Sequence, residues 1–174
     1  FVIPENKVTA IVGPSGSGKT TILKLILGFY KPVKGEVLLG GKKIEQYSPV
    51  AWRKNCGTVM QNGFIFNDTI KGNISLSDDY PDMDCVRNAT NIANIDEFIQ
   101  SLPMGYDTKI GVEGQDLSSG QKQRILIARA VYKKTKFLLF DEATNSLDAN
   151  NEKIIQERLE RLFLDKTVVV VAHR

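Results

Sequence analysis

The eight residues from Gly13 to Thr20 constrain the fold of this chain more than any other segment. Their sequence, GPSGSGKT, fits the pattern G-x-x-x-x-G-K-[ST], with an apolar run ending at Val12 before it and a helix-forming run at 21–27 after it. Glycines let the backbone turn sharply, so that successive N–H groups point at one anion. A helix that begins at the end of the loop adds its own unpaired N–H groups. The segment is therefore predicted to be a phosphate-binding loop.

Two side chains at the end of this loop have distinct expected roles. Lys19 would donate charge-assisted hydrogen bonds to the terminal phosphates, each worth roughly 1.5–3 kcal/mol. Thr20 would offer its hydroxyl to Mg²⁺. The alternative, a Gly/Ser-rich connector that matches by chance, is disfavoured by the strand before the loop and the helix after it. The candidate nucleotide-binding residues here are Gly13, Pro14, Ser15, Gly16, Ser17, Gly18, Lys19, Thr20 and Thr21.

The composition is that of an ordinary globular domain. The 174 residues are 42% hydrophobic and 25% charged, which is enough chain for one sizeable core. The net charge of +3 is spread without a basic stripe, which argues against a nucleic-acid partner. Cys56 and Cys85 lack metal-ligand spacing and favour a reduced, cytosolic chain. No apolar run approaches the ~20 residues of a membrane span.

Alternating apolar strands and helix-patterned segments predict an α/β fold with a parallel sheet. The run at 168–171 is β-branched throughout and is predicted to be a central strand. From 62 to 134 the chain is polar and helix-patterned, so we expect a core of residues 1–61 and 135–174 with an inserted helical subdomain. The chain begins inside one predicted strand and stops just after another, so we expect both ends of the full domain to be missing. The predicted strands are 7–12, 35–39, 42–44, 57–60, 137–140 and 168–171, and the predicted helices are 19–27, 83–93, 95–102, 119–134 and 150–163.

The strand at 137–140 is followed by two carboxylates, Asp141 and Glu142. In a parallel sheet, ligands bind beyond the carboxyl ends of the strands, so Asp141 is expected near Thr20, where it would help to hold Mg²⁺. Glu142 could polarise a water molecule, and general-base help of this kind is worth about 10²–10⁴ in rate. An acidic turn after a core strand is the alternative, which the phosphate loop disfavours.

A third signal is the sequence LSSGQ at 117–121. Ser118 and Gln121 have the spacing of a capping box for a helix that begins at Ser119. A helix start with the small residue Gly120 also suits an anion. The two interpretations are compatible, because the cap orders the N–H groups that would meet a phosphate.

Together these motifs resemble those of ATP-binding-cassette (ABC) ATPases, in the order in which that family has them. The segment 117–124 resembles the family's signature motif, and Gly13–Thr20 resembles its Walker A loop. The segment 137–142 resembles the Walker B strand with its catalytic glutamate, and the segment 146–148 resembles the D-loop. Gln61 corresponds in this resemblance to the Q-loop glutamine, and His173 to the switch histidine.

The resemblance implies a P-loop NTPase (RecA-like) fold that binds ATP and Mg²⁺. It implies that the signature motif of one chain faces the Walker A loop of a second nucleotide-binding domain, which is either an identical chain or a paired half. It also implies that the domain lies at the cytoplasmic face of the cell (inner) membrane and moves the helices of a transmembrane domain. No nucleic-acid partner is expected. The implied catalytic residues are Glu142, His173 and Gln61, the implied metal-site residues are Thr20, Gln61 and Asp141, and the implied signature contacts to ATP are Ser118, Gly120 and Gln121.

The segments 61–70 and 110–115 are similar to exporter-type members, most of all to bacterial peptide or bacteriocin exporters, including those with a fused peptidase domain. Two features depart from the family pattern. Ser119 replaces the usual glycine, but a helical residue after the Ser118 cap tolerates a side chain, so we expect activity to be retained. The aromatic residue that stacks on adenine lies upstream in the family, and Phe1 is too close to the first strand to replace it.

Several alternatives remain open at this stage. A soluble P-loop ATPase or kinase that completes its own site would need no signature helix. A chromosome-associated ABC ATPase would carry long coiled-coil arms before the signature, where this chain has a short interval with Pro81 and Pro103 and no heptads. A regulatory module without turnover is disfavoured by Glu142. Asp148 is either a contact residue of the D-loop or a cap of the next helix.

Overall fold

The computed structural model describes residues 1–76 and 78–172, so His173 lies outside the described residues. Short 3-10 turns occupy Ile44–Gln46 and Gly105–Asp107. The other elements, in chain order, are β1 (Val8–Val12), α1 (Lys19–Ile26), β2 (Leu38–Leu39), β3 (Lys42–Lys43), α2 (Pro49–Lys54), β4 (Cys56–Val59), β5 (Asp68–Thr69), α3 (Ile70–Ser75), α4 (Met83–Ile92), α5 (Asp96–Ser101), β6 (Lys109–Ile110), α6 (Ser119–Tyr132), β7 (Phe137–Asp141), α7 (Ala149–Leu162) and β8 (Thr167–Ala172).

A parallel sheet in the order β1-β8-β7-β4 forms the centre of the molecule. The predicted central strand is confirmed, because β8 pairs with β1 on one side and with β7 on the other. Its residues Val168, Val169 and Val171 are at most 3% exposed, as a strand covered on both faces requires. All four strands therefore present their carboxyl ends at one edge of the sheet, where the ligands of α/β proteins bind.

The predicted pair of short strands is present but shorter than expected. β2 and β3 pair antiparallel across Gly40 and Gly41, which have φ values of 57° and 78°. Two positive φ values are what a two-residue hairpin turn of the primed type requires, and glycine adopts them without strain. Ile44 begins a 3-10 turn instead of continuing the strand, and its side chain is buried in the core.

Two short helices were not predicted from the sequence. Helix α2 begins after Ser48, whose hydroxyl accepts a hydrogen bond from Ala51 N, and has Pro49 at its first position. Helix α3 begins after Thr69, whose hydroxyl accepts from Gly72 N at 3.0 Å. Each has only six residues.

Hydrophobic clusters cover both faces of the sheet. On one face, Leu23 and Leu27 of α1 pack with Val169 and Val171. On the other, Ile125 of α6 belongs to a cluster that continues into the helical segment and into β7 and β8. Helix α6 thus connects the sheet to the helical segment, and the division at residues 62–134 stays a prediction. No helix among residues 1–76 and 78–172 is long and apolar enough to cross a bilayer.

Candidate active site

The loop between β1 and α1 has the backbone that its glycines permit. Gly16 and Gly18 have φ values of 77° and 89°, in the left-handed region, and Gly18 is the N-cap of α1. A Cβ atom at Gly13 would lie 2.9 Å from Oγ of Ser17, so the loop closes tightly at this point. The segment is a compact turn that opens directly into the N-terminus of a helix.

Lys19 is the first residue of α1, and its side chain turns back over the loop. Its Nζ atom donates to the carbonyl oxygens of Gly13 at 2.8 Å and Pro14 at 2.9 Å. The side chain is 7% exposed. The ammonium group is thereby held within the arc of the loop that the sequence predicts to bind phosphate.

Thr20 and Asp141 meet at the carboxyl end of the sheet. The Thr20 hydroxyl donates to Oδ2 of Asp141 at 2.7 Å, although the two residues are 121 positions apart. Asp141 is completely buried, and its Oδ1 atom has no hydrogen-bond partner among the described residues. A hydroxyl and a carboxylate with a spare buried oxygen are oxygen ligands of the kind Mg²⁺ prefers. These residues fit the expected magnesium site, and their role as ligands stays a prediction.

Glu142 lies directly after β7 in an unusual backbone conformation. Its φ of 51° is left-handed, and its N–H donates to the carbonyl oxygen of Val171 in β8 at 3.1 Å. Its Oε2 atom accepts from Nε2 of Gln61 at 3.1 Å and from Nδ2 of Asn145 at 2.8 Å. Gln61 follows β4, so the pairing of β4 with β7 brings these two candidate catalytic side chains together. Asn145 was not identified from the sequence, since only the turn after Glu142 places it here.

The capping box predicted at the start of α6 is present. The Ser118 hydroxyl accepts from Gln121 N at 3.2 Å, and Ser118 N–H donates to Oε1 of Gln121 at 2.9 Å. Ser119 takes a helical position and is exposed. Gly120 lies against the segment after β7, and a Cβ there would stand 3.3 Å from the Ser146 carbonyl oxygen. Within the described residues, no hydrogen bond joins Ser118, Gly120 or Gln121 to the phosphate loop.

Asp148 acts as a helix cap in this structure. Its carboxylate accepts from Asn151 N at 3.0 Å and from Asn151 Nδ2 at 2.6 Å, at the start of α7. These two hydrogen bonds hold the pKa of Asp148 below its usual range. A contact role for Asp148 toward a second chain stays a prediction.

Sequence reasoning also missed a hydrogen-bonded centre that holds the loop after Gln61. Asn73 is fully buried, and its side chain bonds both the N–H and the carbonyl oxygen of Phe66, at 2.8 and 2.9 Å. Arg129 of α6 donates to Asn73 O at 2.7 Å and to Phe64 O at 2.8 Å. Burial lowers the pKa of Arg129 to about 10. Phe64 is 63% exposed and touches Phe66 edge-on.

The chain is similar to known proteins along its whole length. A family model described as ABC transporter matches residues 1–145. "ABC transporter B family member 13" of Arabidopsis thaliana is 48% identical over 174 residues, which cover 100% of this chain and 14% of that protein. Mouse "ATP-binding cassette sub-family B member 10, mitochondrial" is 48% identical over 175 residues, which cover 99% of this chain and 24% of that protein.

Two bacterial proteins extend the comparison. The "ATP-dependent lipid A-core flippase" of Haemophilus influenzae is 45% identical over 176 residues, which cover 100% of this chain and 30% of that protein. A solved "bacterial Atm1-family ABC exporter with ATP bound" superposes with a TM-score of 0.92 at 41% identity, over 97% of this chain and 30% of that one. This chain therefore spans less than a third of the length of each of these relatives.

Proposed function

This chain belongs to the ABC transporter family, whose nucleotide-binding domains are ATPases, and we propose that it binds and hydrolyses ATP to drive an exporter. One observation carries the proposal. The phosphate loop and the capped helix start at Ser118 occur in one chain, yet no hydrogen bond joins them within the described residues. Each is an anion-binding arrangement. We infer that each takes part in a nucleotide site that a second chain completes.

The loop residues would bind the phosphates of ATP. N–H groups at the start of α1 and the Lys19 ammonium supply the positive field, and Lys19 exchanges its two carbonyl partners for phosphate oxygens. Thr20 and Asp141 would hold Mg²⁺, which when bound neutralises charge on the phosphates. The spare buried oxygen of Asp141 supports this assignment.

Glu142 is the proposed general base for the attacking water. Its Oε2 atom is oriented by Gln61 and Asn145, which fixes the carboxylate at the end of β7 next to the metal-site residue Asp141. Gln61 is also the proposed link by which the state of the nucleotide reaches other domains. The third predicted catalytic residue, His173, comes directly after the last described residue of β8.

ATP is proposed to close a head-to-tail dimer in which the start of α6 caps the nucleotide held by the partner's loop. The test is the mass in solution of Glu142→Gln, in the chain with its native flanking sequence, with and without Mg-ATP. We expect the mass to double only with Mg-ATP. The matched control adds Ser118→Arg, which should prevent doubling while ATP still binds. A persistent ATP-bound monomer of Glu142→Gln would instead favour the alternative, a soluble or chromosome-associated P-loop ATPase.

The proposed second partner is a transmembrane domain, contacted by the loop after Gln61. Phe64 and Phe66 are 63% and 44% exposed and form an apolar edge, and Asn73 and Arg129 hold this loop against α3 and α6. An apolar surface on the loop that follows Gln61, whose side chain is hydrogen-bonded to Glu142, suits the transfer of motion. We propose that the chain lies at the cytoplasmic face of a membrane.

The cargo is the least constrained part of the proposal. Peptide or bacteriocin export stays a prediction from sequence resemblance, as does a fused peptidase domain. One relative is named as a lipid A-core flippase and another as a mitochondrial protein, so the shared domain serves different transporters. Transport by the chain with its native flanking sequence, reconstituted in vesicles and assayed with a labelled peptide and a labelled lipid, would distinguish the two cargo classes.

A further inference from the structure

Gln123 is a buried polar residue that the proposed chemistry does not use. It lies in the second turn of α6, on the same face as the buried residues Ile127 and Ala130, and is 6% exposed. Its Nε2 atom donates to the carbonyl oxygen of Ala143 at 2.9 Å. A buried amide needs such a partner, because leaving it unpaired costs the full desolvation penalty. The bond therefore fixes one point of α6 to the carbonyl of Ala143, the residue after Glu142.

Two neighbouring contacts join the same two parts of the chain. Gly120 lies close to the Ser146 carbonyl oxygen, as the 3.3 Å approach of a Cβ there shows. Arg124 donates from Nη1 to Oδ1 of Asn151 at 3.3 Å, and Asn151 in turn is bound to the Asp148 carboxylate. The first turns of α6 are thus joined to residues 143–151 by two hydrogen bonds and one close approach.

Gln123 makes the contact nearest to the chemistry. Glu142 has a left-handed φ of 51°, a conformation that side chains other than glycine hold only with support from their surroundings. Its own N–H is fixed to β8, and the carbonyl oxygen of the next residue, Ala143, is fixed by Gln123. A shift of α6 would therefore move the Ala143 carbonyl and, through the backbone, Glu142.

We propose that Gln123 is a positioning residue that transmits the state of the signature helix α6 to Glu142 of the same chain. The inference rests on the proposed function, in which the start of α6 contacts the nucleotide bound by the partner chain. Glu142 at one site would then respond to the nucleotide at the other site. Gln123 would influence hydrolysis and cooperativity while leaving ATP binding at its own loop unchanged.

The test replaces Gln123 by Met, which has a similar length and lacks the N–H donor, in the chain with its native flanking sequence. We expect kcat for ATP hydrolysis, per bound nucleotide, to fall about three- to tenfold, the effect of one lost hydrogen bond. The KM for Mg-ATP should stay within about twofold and the Hill coefficient should fall toward 1. Mg-ATP should still dimerise the Gln123→Met, Glu142→Gln double variant. The matched control is Gln156→Met, at an exposed glutamine of α7, which should behave as wild type.

Three results would overturn the inference. One is a wild-type kcat and Hill coefficient for Gln123→Met. Another is a loss of activity that disappears when rates are divided by the amount of bound nucleotide, because a purely structural role predicts only fewer folded molecules. The third is turnover retained by Glu142→Gln, which would overturn the proposed role of Glu142 as the general base and this inference with it. Gln123→Glu, isosteric and without a donor, should lower kcat at least as much as Gln123→Met.

Discussion

Lys19 and Asp141 are charged side chains of the site that the fold buries almost completely, at 7% and 0% exposure. Burying a charge is costly unless hydrogen bonds or opposite charges compensate. Lys19 has two loop carbonyls as partners, whereas Asp141 accepts from Thr20 and keeps one buried oxygen without a partner among the described residues. Such incomplete compensation suits a site that takes up phosphate and metal. Substitutions here should therefore affect ligand binding more than folding.

The Lys19→Met variant tests, at the phosphate loop, whether a substitution affects ligand binding more than folding. Losing a charge-assisted hydrogen bond should raise the Kd for ATP at least about tenfold. The melting temperature without nucleotide should change little, because the bonds lost are to backbone carbonyls beside solvent. Titration with a fluorescent ATP analogue measures the Kd, and Lys24→Met, further along the same helix, is the control. Equal affinity of the two variants would contradict the assigned role of Lys19.

The two cysteines should differ in reactivity toward a thiol reagent. Cys56 is completely buried, and burial raises the pKa of its thiol to about 12, so almost no thiolate is present at neutral pH. Cys85 is partly exposed on α4. We expect one thiol per chain to react in the native state and two after unfolding, and none to react quickly in Cys85→Ser. Equally fast labelling of both cysteines in the native chain would show that β4 opens readily.

Residues of the site differ in how far the sequence identifies them. The phosphate loop and the pair Asp141–Glu142 are contiguous motifs, so local spacing was enough to find them. Asn145 and Asn73 act through contacts that only the folded chain creates, and an isolated asparagine carries no signal. Gln123 could have been noticed in the sequence, because it is a polar residue at a position where the helical period predicts an apolar one.

At the scale of elements, the start of α6 combines a structural and a proposed binding role. Ser118→Ala removes the hydroxyl that accepts from Gln121 N and should lower the free energy of unfolding by about 1 kcal/mol. Denaturant unfolding without nucleotide measures this effect apart from ATP contacts. Ser119→Ala, at the next and exposed position, should leave stability unchanged or slightly raised, because alanine favours helix. A Ser118→Ala variant as stable as Ser119→Ala would argue against the capping box.

The start of α7 should contribute to acid sensitivity. The pKa of Asp148 is lowered by its hydrogen bonds to Asn151, so its stabilising effect is present above the unfolded pKa of about 3.9 and is lost as the pH falls through the folded value. Asp148→Asn keeps a good N-cap without the titrating group. We expect a melting temperature near wild type at pH 7 and a smaller decrease between pH 5 and 3. Glu157→Gln, on the exposed side of α7, should keep the wild-type decrease.

Elements could be predicted from the sequence where they are long or strongly patterned. The strands of the central sheet and helices α6 and α7 were found, with ends displaced by a few residues. Helices α2 and α3 were missed although Ser48 and Thr69 carry capping signals. Helix α5, which also has six residues, was predicted because Pro103 and Gly105 mark its end. The pairing of β5 with β6 joins two-residue strands some 40 positions apart, and it follows from tertiary structure alone.

At the scale of the whole molecule, one hydrophobic cluster joins the helical segment to the sheet. The predicted division into core and helical subdomain did not include such a shared cluster. The cluster that holds Ile70 and Val86 of the helical segment also holds Leu138 and Phe140 of β7 and Val168 of β8. Helix α6 crosses this cluster, with Ile125, Ile127 and Ala128 fully buried. A shared core of this kind predicts that the helical segment and the sheet unfold together.

Ile125→Ala and Leu23→Ala test this cooperativity from opposite faces of the sheet. Both side chains are 0% exposed, and each truncation should cost about 2–5 kcal/mol. If the molecule unfolds as one unit, each variant shows a single transition at a lower melting temperature than wild type. Far-ultraviolet circular dichroism and the fluorescence of Trp52, which packs on the α1 side of the sheet, should then give the same melting temperature. Val33→Ala, at a side chain that is 99% exposed, is the control and should melt as wild type does. A helical segment that folds independently would instead give Ile125→Ala an early transition seen by circular dichroism and absent from the Trp52 signal.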